Sequence, residues 1–348
     1  MSPLKVLFLA DSRPGHYHLS EGVIAALTRL SAVEVRRIEV NRRWIIPTRW
    51  LRRRIHSKNF FPPRMLWMTY RIRAEELPKA DLVISAGGET LMPNICCSRY
   101  LGIPNIFCGS LRDLEADEFS LVISSYERDA KSPRHIVTLK PSSIDPDALG
   151  RPAEVPQYGP GNRPKLAGLL IGGDAGTFRY RRSEWKRLIE FVRAVSKAWG
   201  TRWMISTSRR TPDHVADMFG TLAGEGDVVE RFIDFRKSGP GTLNEVFGKA
   251  EVLVCTEDSS TMMSEAVSAR LPVVGVAPKL HHFTQEEREY RALMLHRNWA
   301  RTLPIAGLSP ETFENALSEI EPIEGNPIDM LAAKLKQRLP ELLAAPPA

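Results

Sequence analysis

A chain of 348 residues with 43% hydrophobic and 26% charged side chains has the size and balance of a two-domain globular protein, which excludes the disordered and fibrous classes. Its apolar runs are strand-length, which argues against a transmembrane helix, and the first ten residues enter a strand rather than a secretory signal, so a cytosolic location is expected. The formal charge of +7 is concentrated in one place: residues 41–74 hold ten Lys or Arg and no acid, so the remainder sums to −3.

Residues 4–10 form a strong first strand, followed by the tight loop Asp11-Ser12-Arg13-Pro14-Gly15-His16 and a helical pattern through Leu19, Val23, Ala26, Leu27 and Leu30. Open α/β sheets bind ligands at this end of a strand, where Gly15 permits close backbone approach and His16 can take a proton near neutral pH. A structural histidine accounts for the residue equally well. No GxGxxG occurs here, which counts against an ordinary dinucleotide site. Residues 33–40 read as the second strand.

The basic segment then interleaves Arg42, Arg43, Arg49, Arg52, Arg53, Arg54, Lys58, Arg64, Arg71 and Arg73 with Trp44, Trp50, Phe60, Phe61, Trp67 and Tyr70. Three readings compete: a solvated loop and helix face, a nucleic-acid surface, which is disfavoured, and a platform for anionic lipid headgroups. Under the lipid reading, Arg42 to Arg73 seats the protein peripherally on the inner face of the inner membrane. Pro47, Pro62 and Pro63 divide the segment into short pieces, so one long amphipathic helix is not expected.

Residues 81–89 are the next strand and turn, with Gly87 and Gly88 opening a helix through Ile95 to Tyr100, and 103–108 and 121–124 are further short strands. Glu89 is a candidate acid or base, with an ordinary surface role as the plainer account. The four cysteines, Cys96, Cys97, Cys108 and Cys255, lack CxxC spacing, and reduced, buried thiols are expected. Between 141 and 164 periodicity lapses and six prolines collect. Residues 151–164 are therefore expected to link a domain of residues 1–150 to one of residues 165–348.

The second half restarts with a strand over 166–171, the turn Gly172-Gly173, a helix over 183–199 and a strand over 203–206 leading into Ser208-Arg209-Arg210-Thr211-Pro212. A short strand over 231–235 and a helix over 244–249 follow. An apolar run at 252–254 then gives way to Thr256-Glu257-Asp258-Ser259-Ser260, after which Met262, Met263, Ala266 and Val267 recur at helical spacing, and Pro272 precedes a strand over 273–276.

That is a βαβ crossover with a hydroxyl-rich turn. The helix N-terminus offers unpaired N–H groups and partial positive charge, and Ser259 and Ser260 add hydroxyls, an arrangement suited to a diphosphate. Asp258 is counted with them as a candidate ligand-binding residue, although Asp258 and Ser259 are equally good helix caps. Glu265 stands where a carboxylate can accept hydrogen bonds from a ribose. Gly172 and Gly173 can let N–H groups approach phosphate, and Ser208 with Arg209 or Arg210 supplies a hydroxyl and a guanidinium. Three strand-end loops of one domain thus suit a nucleotide diphosphate. Helices are expected around 313–320 and 330–343, the closing one to pack rather than bind.

Arg13-Pro14-Gly15-His16, Gly172-Gly173, Ser208-Arg209-Arg210-Thr211-Pro212 and Thr256-x-Asp258-Ser259 with Ser264-Glu265-Ala266 and Pro272-Val273 resemble a family named after a plant mitochondrial-fission factor, elongated mitochondria. The likeness runs over most of the chain. Gly88-Glu89, Leu111 before Arg112, and Arg270 depart from the family's pattern. The resemblance implies an α/β, GT-B-like fold: two Rossmann-like domains whose parallel sheets face each other across a cleft. That fold is shared by the lipid-linked glucosaminyltransferase of peptidoglycan synthesis and by non-hydrolysing nucleotide-sugar epimerases. Glu257 and Glu265 have the E-x7-E spacing of many retaining glycosyltransferases, but their flanking residues do not follow that group.

Residues and resemblance together give an expected function. A metal-independent glycosyltransferase takes a nucleotide-diphosphate sugar as substrate, without a further cofactor, and moves the sugar to a cell-envelope acceptor. Ser259, Ser260, Ser208 and Arg209 neutralise the diphosphate, Glu265 holds the ribose, and His16, or else Asp11 or Glu89, deprotonates the acceptor. The alternatives are a nucleotide-sugar epimerase or hydrolase, and a non-catalytic scaffold of the same fold.

Overall fold

Six of the seven residues of Leu4–Ala10 (β1) are buried, because a parallel strand covered on both faces needs apolar side chains on both. In the computed structural model, residues 2–43, 46, 51, 53–55, 57, 60–112 and 114–343 are described. Trp44, Pro47, Arg49, Trp50, Arg52 and Lys58 of the basic segment lie outside these residues. β1 pairs in parallel with Val33–Glu39 (β2) on one side and Leu82–Ala86 (β3) on the other. Asn105–Cys108 (β4), Leu121–Ser124 (β5) and His135–Val137 (β6) extend the sheet in the order β2-β1-β3-β4-β5-β6.

Alternate residues of β1 feed opposite cores, as the period of two requires. Leu4 and Val6 pack with Val23, Ala26 and Leu27 of Pro14–Thr28 (α1). Leu7 and Leu9 pack with Ile95, Cys96 and Cys97 of Leu91–Leu101 and with Leu66 and Tyr70 of Pro62–Tyr70 (α2; Leu91–Leu101 is α3). All four cysteines are buried and unbridged, and burial pushes their thiols up, that of Cys97 to about 12.

The second sheet is also parallel, with strands Leu166–Ile171 (β7), Arg202–Thr207 (β8), Val229–Ile233 (β9), Val252–Thr256 (β10), Val273–Ala277 (β11) and Ala300–Pro304 (β12) in the order β12-β11-β10-β7-β8-β9. Its helices of seven residues or more are Arg182–Trp199 (α4), Asp213–Ala223 (α5), Leu243–Lys249 (α6), Ser260–Ser268 (α7), Gln285–His296 (α8) and Pro310–Ser318 (α9). Trp185, Phe191, Trp203 and Phe313 are fully buried and anchor the core under α4. Among the described residues, no helix is long and apolar enough to cross a membrane.

The chain divides into two compact units, one running to Ser143 and resuming at Pro327, the other spanning Ile144–Asn326. These limits differ from those read from composition in two ways. Residues 151–164 are not a spacer: Tyr158 is buried in the second core, and the Gln157 amide donates to the carbonyls of Leu317, Ser318 and Ile320 at 3.0–3.2 Å. Their prolines set an extended path against the surface rather than a free tether. The closing helix Pro327–Arg338 (α10) belongs to the first unit, where Leu331 and Leu335 join the core of Val23 and Leu27.

Arg270 stands where the family resemblance leads one to expect glycine, and it adopts the left-handed backbone that glycine favours, with φ of 58°. Its buried guanidinium donates to the Gly325 carbonyl at 2.8 Å and lies 2.8 Å from Asp147. The amide of Asn326 donates to Asp145 and Asp147 at 2.8 and 2.9 Å. These bonds, that of Asn326 foremost, hold the Asp147 carboxyl below its usual range. The points where the chain enters and leaves the second unit are thus fastened together.

Candidate functional site

In an open parallel sheet, the strands on either side of the point where the chain reverses direction leave a crevice beyond their carboxyl ends. In the second unit that point lies between β7 and β10, and in the first between β1 and β3. The loops carrying most of the expected site residues follow these four strands: Gly172-Gly173 after β7, Asp258-Ser259 after β10, Asp11 to His16 after β1, and Gly87 to Glu89 after β3.

In the second unit the three expected loops do meet, and the side chain that joins them is Asp258. Its carboxylate is fully buried and accepts from Arg210 Nη2 at 2.6 Å and Nε at 3.1 Å, from the Gly173 N–H at 3.3 Å and from the Tyr180 hydroxyl at 3.3 Å. Burial, and then the neighbouring Asp258 charge, pushes the Tyr180 hydroxyl well above the ordinary tyrosine range, so it stays a donor. Thr211 reinforces the junction: its hydroxyl oxygen lies 2.8 and 2.9 Å from the carbonyls of Ile171 and Gly172 and accepts the Ser208 N–H at 2.9 Å. The glycines are needed for closeness, since a Cβ on Gly172 would lie 2.2 Å from Asp258 Oδ2 and one on Gly173 2.1 Å from the Arg210 carbonyl oxygen.

This geometry redistributes the expected roles. The N–H groups of Gly172 and Gly173 go to Thr256 and Asp258, and Asp258 itself is occupied by protein donors. Ser259 caps α7 by accepting from the Met262 N–H at 3.4 Å, while Ser260 begins the helix and Glu265 lies half-buried in its second turn. Ser208 accepts the Arg210 N–H at 3.2 Å. Arg209 is exposed and has no ion-pair partner among the described residues, in contrast to Arg210. Glu257 is buried against Arg291 at 2.6 Å, a core ion pair, which accounts for its type without reference to the E-x7-E spacing.

In the first unit Asp11 and His16 form a pair. Asp11 Oδ1 accepts the Arg13 N–H at 3.0 Å, and Oδ2 lies 2.6 Å from His16 Nδ1, with side chains 4% and 28% exposed respectively. A carboxylate on Nδ1–H fixes the tautomer and leaves Nε2 as the proton acceptor. Gly87, at φ of +88°, is the floor of this pair: a Cβ there would lie 2.1 Å from His16 Nδ1. Beside it a Cβ on Gly88 would meet the Arg112 guanidinium at 2.7 Å. Glu89 is committed elsewhere, in a 2.6 Å ion pair with Arg42, whose guanidinium that bond holds more firmly protonated.

Sequence reasoning did not find Tyr180 or Arg112, and it placed a ligand on Asp258 where protein donors sit. Only the pairing of residues 48 apart, Arg210 with Asp258, reveals the hub. Among the described residues no group of three or more His, Cys, Asp or Glu is placed to hold a metal ion.

The family described as mitochondrial fission ELM1 matches residues 14–338. A comparison with curated proteins gives no match. Among solved structures the chain is similar to UDP-GlcNAc 2-epimerase from Methanocaldococcus jannaschii, with 11% identity, TM-score 0.56 and coverage of 97% of this chain and 100% of that one. It is similar to S. aureus MnaA solved with UDP (11% identity, TM-score 0.54, 99% of each chain) and to MurG from Acinetobacter baumannii (13%, 0.51, 96% of this chain and 100% of that one). At such identities the likeness shows the fold, which is the two-domain, parallel-sheet GT-B architecture expected from the sequence.

Proposed function

The chain belongs to the mitochondrial fission ELM1 family, and from that premise and its GT-B fold we propose that it is an enzyme acting on a nucleoside-diphosphate sugar. The observation that carries the reading is the convergence of three loops on Asp258 at the reversal point of the second sheet, which leaves exposed Arg209, next to Ser208 in the chain, without an ion-pair partner among the described residues. In this reading the N-terminus of α7, the hydroxyls of Ser208, Ser259 and Ser260, and Arg209 hold the diphosphate, and Glu265 holds the ribose. Asp258 and Arg210 position these groups and do not touch the ligand.

Within that class, the likeness to UDP-GlcNAc 2-epimerases favours epimerisation at C2 of the sugar. The buried-carboxylate-to-imidazole pair Asp11–His16 favours the second reading, transfer to a hydroxyl that His16 deprotonates. Calorimetric titration with UDP is expected to give saturable binding to one site. Arg209→Gln should weaken it about tenfold or more, since a charge-assisted hydrogen bond is worth about 1.5–3 kcal/mol. Product analysis with UDP-GlcNAc then separates the C2 epimer from UDP with a glycosylated acceptor. A chain that binds no nucleoside diphosphate is not this enzyme.

The reading extends to a surface of the first unit. Phe61 is 62% and Trp67 50% exposed, Met68 is exposed beside them, and Arg43, Arg53, Arg64 and Arg71 are exposed nearby in the chain. Exposed aromatics among cations that have no carboxylate partner among the described residues suit an anionic lipid surface. Full-length protein is expected to float with vesicles containing phosphatidylglycerol and not with phosphatidylcholine alone, and the Phe61→Ser, Trp67→Ser double variant to lose most of that binding. Equal recovery on both vesicle types removes the membrane part.

A further inference from the structure

We propose that the first unit carries an oxyanion subsite, formed by Arg112 across the Gly87-Gly88 turn from His16, which takes a phosphate or carboxylate group of the substrate. The inference rests on the reading above only in calling that group part of a substrate. The segments after β1, β3 and β4 bring the pieces together: the His16 imidazole lies against Gly87, and the Arg112 guanidinium lies against Gly88 with its Nη2 and Cζ 2.7 and 2.8 Å from where a Cβ would be. Two adjacent glycines thus let an imidazole and a guanidinium share one turn, at the reversal point of the sheet.

Charge bookkeeping around the turn points the same way. The carboxylates of the loops after β1 and β3 that flank the turn are already engaged, Asp11 by His16 and Glu89 by Arg42. Arg112 is exposed and, among the described residues, has no carboxylate partner, although it adopts a left-handed backbone with φ of 59°. Arg13, at the end of the Asp11 loop, is likewise exposed. An exposed guanidinium with no carboxylate partner among the described residues, against the glycine next to the one that holds the paired imidazole, supplies positive charge and a planar fork of N–H donors, which match the oxygens of a phosphate or carboxylate.

The test uses the full chain with ¹³C-labelled histidine. Titration with inorganic phosphate, and separately with acetate, is followed at the His16 ring resonance, assigned by its loss in His16→Gln. A saturable shift with either anion is expected, and the better anion identifies the group recognised. Arg112→Gln should raise the apparent Kd at least tenfold, while Arg112→Lys should restore part of the affinity. Arg112→Gly, which relaxes the backbone and also removes the guanidinium, should behave like the glutamine variant. A His16 resonance unmoved by both anions, or one that titrates in Arg112→Gln and Arg112→Gly with the affinity of the natural chain, overturns the subsite. UDP titration of the same variants is expected to be unchanged. Failure of the natural chain to bind UDP would instead count against the nucleotide-sugar reading and leave the anion result legible.

Discussion

Asp258→Ala is expected to lower the unfolding free energy by about 3 kcal/mol, the low end of the cost of orphaning one partner of a buried ion pair. The low end applies because the Arg210 side chain is 31% exposed and can recover some hydration, whereas Asp258 is wholly enclosed. The substitution also strands the Gly173 N–H and the Tyr180 hydroxyl, which have no other acceptor in the junction. Because three loops lose their common tie, UDP affinity should fall with stability even though Asp258 makes no ligand contact in the proposed complex. Asp258→Asn, which keeps the shape and one acceptor oxygen, should recover part of the stability. Urea melts and nucleotide titrations on both variants decide the matter: a protein as stable as the natural one, binding UDP as tightly, would mean the junction has no organising role.

Gly87→Ala should be nearly as damaging to turnover as His16→Ala, although it removes no functional group. A methyl group at position 87 would occupy the space of the imidazole, at 2.1 Å from Nδ1, and push it off Asp11. General-base catalysis contributes about a hundredfold to ten-thousandfold, so in the transfer reaction both single variants are expected to lose at least about a hundredfold in kcat. The double variant should be no worse than the poorer single one, because both changes disable one pair. The left-handed backbone adds a separate strain of about 1–3 kcal/mol in Gly87→Ala alone, which thermal melts will register. If the losses multiply in the double variant, glycine and histidine act independently and the floor argument fails.

The near-continuous apolar runs of β1, β7 and β10 made both sheets legible, because a doubly covered strand must be apolar on both faces. Elements with a thin buried stripe were not legible. Helix α8 begins Gln285-Glu286-Glu287-Arg288 and buries only Tyr290, Leu293 and Met294, so its apolar period is weak; its real signal is the capping box of Thr284 and Glu287. β12 is an edge strand with exposed residues at alternate positions, which composition reads as loop. At the site, loop positions followed from strand ends, so the convergence of residues 172–173, 208–211 and 258–259 could be anticipated. Which carboxylates the protein would consume could not: Asp258 and Glu89 are spent on Arg210 and Arg42, partners distant in sequence that only folding brings near.

The enclosure of every natural thiol makes the protein a convenient chassis for optical probes. Cys96, Cys97, Cys108 and Cys255 are sequestered and resist deprotonation, so maleimide reagents at neutral pH should leave them untouched. A lone surface cysteine, introduced as Thr177→Cys in the loop after β7 in one preparation or as Ser12→Cys in the loop after β1 in another, can then carry a single fluorophore while Arg209 and Arg112 stay in place. Occupancy of each crevice becomes a separate colour signal, read without radiolabelled sugars.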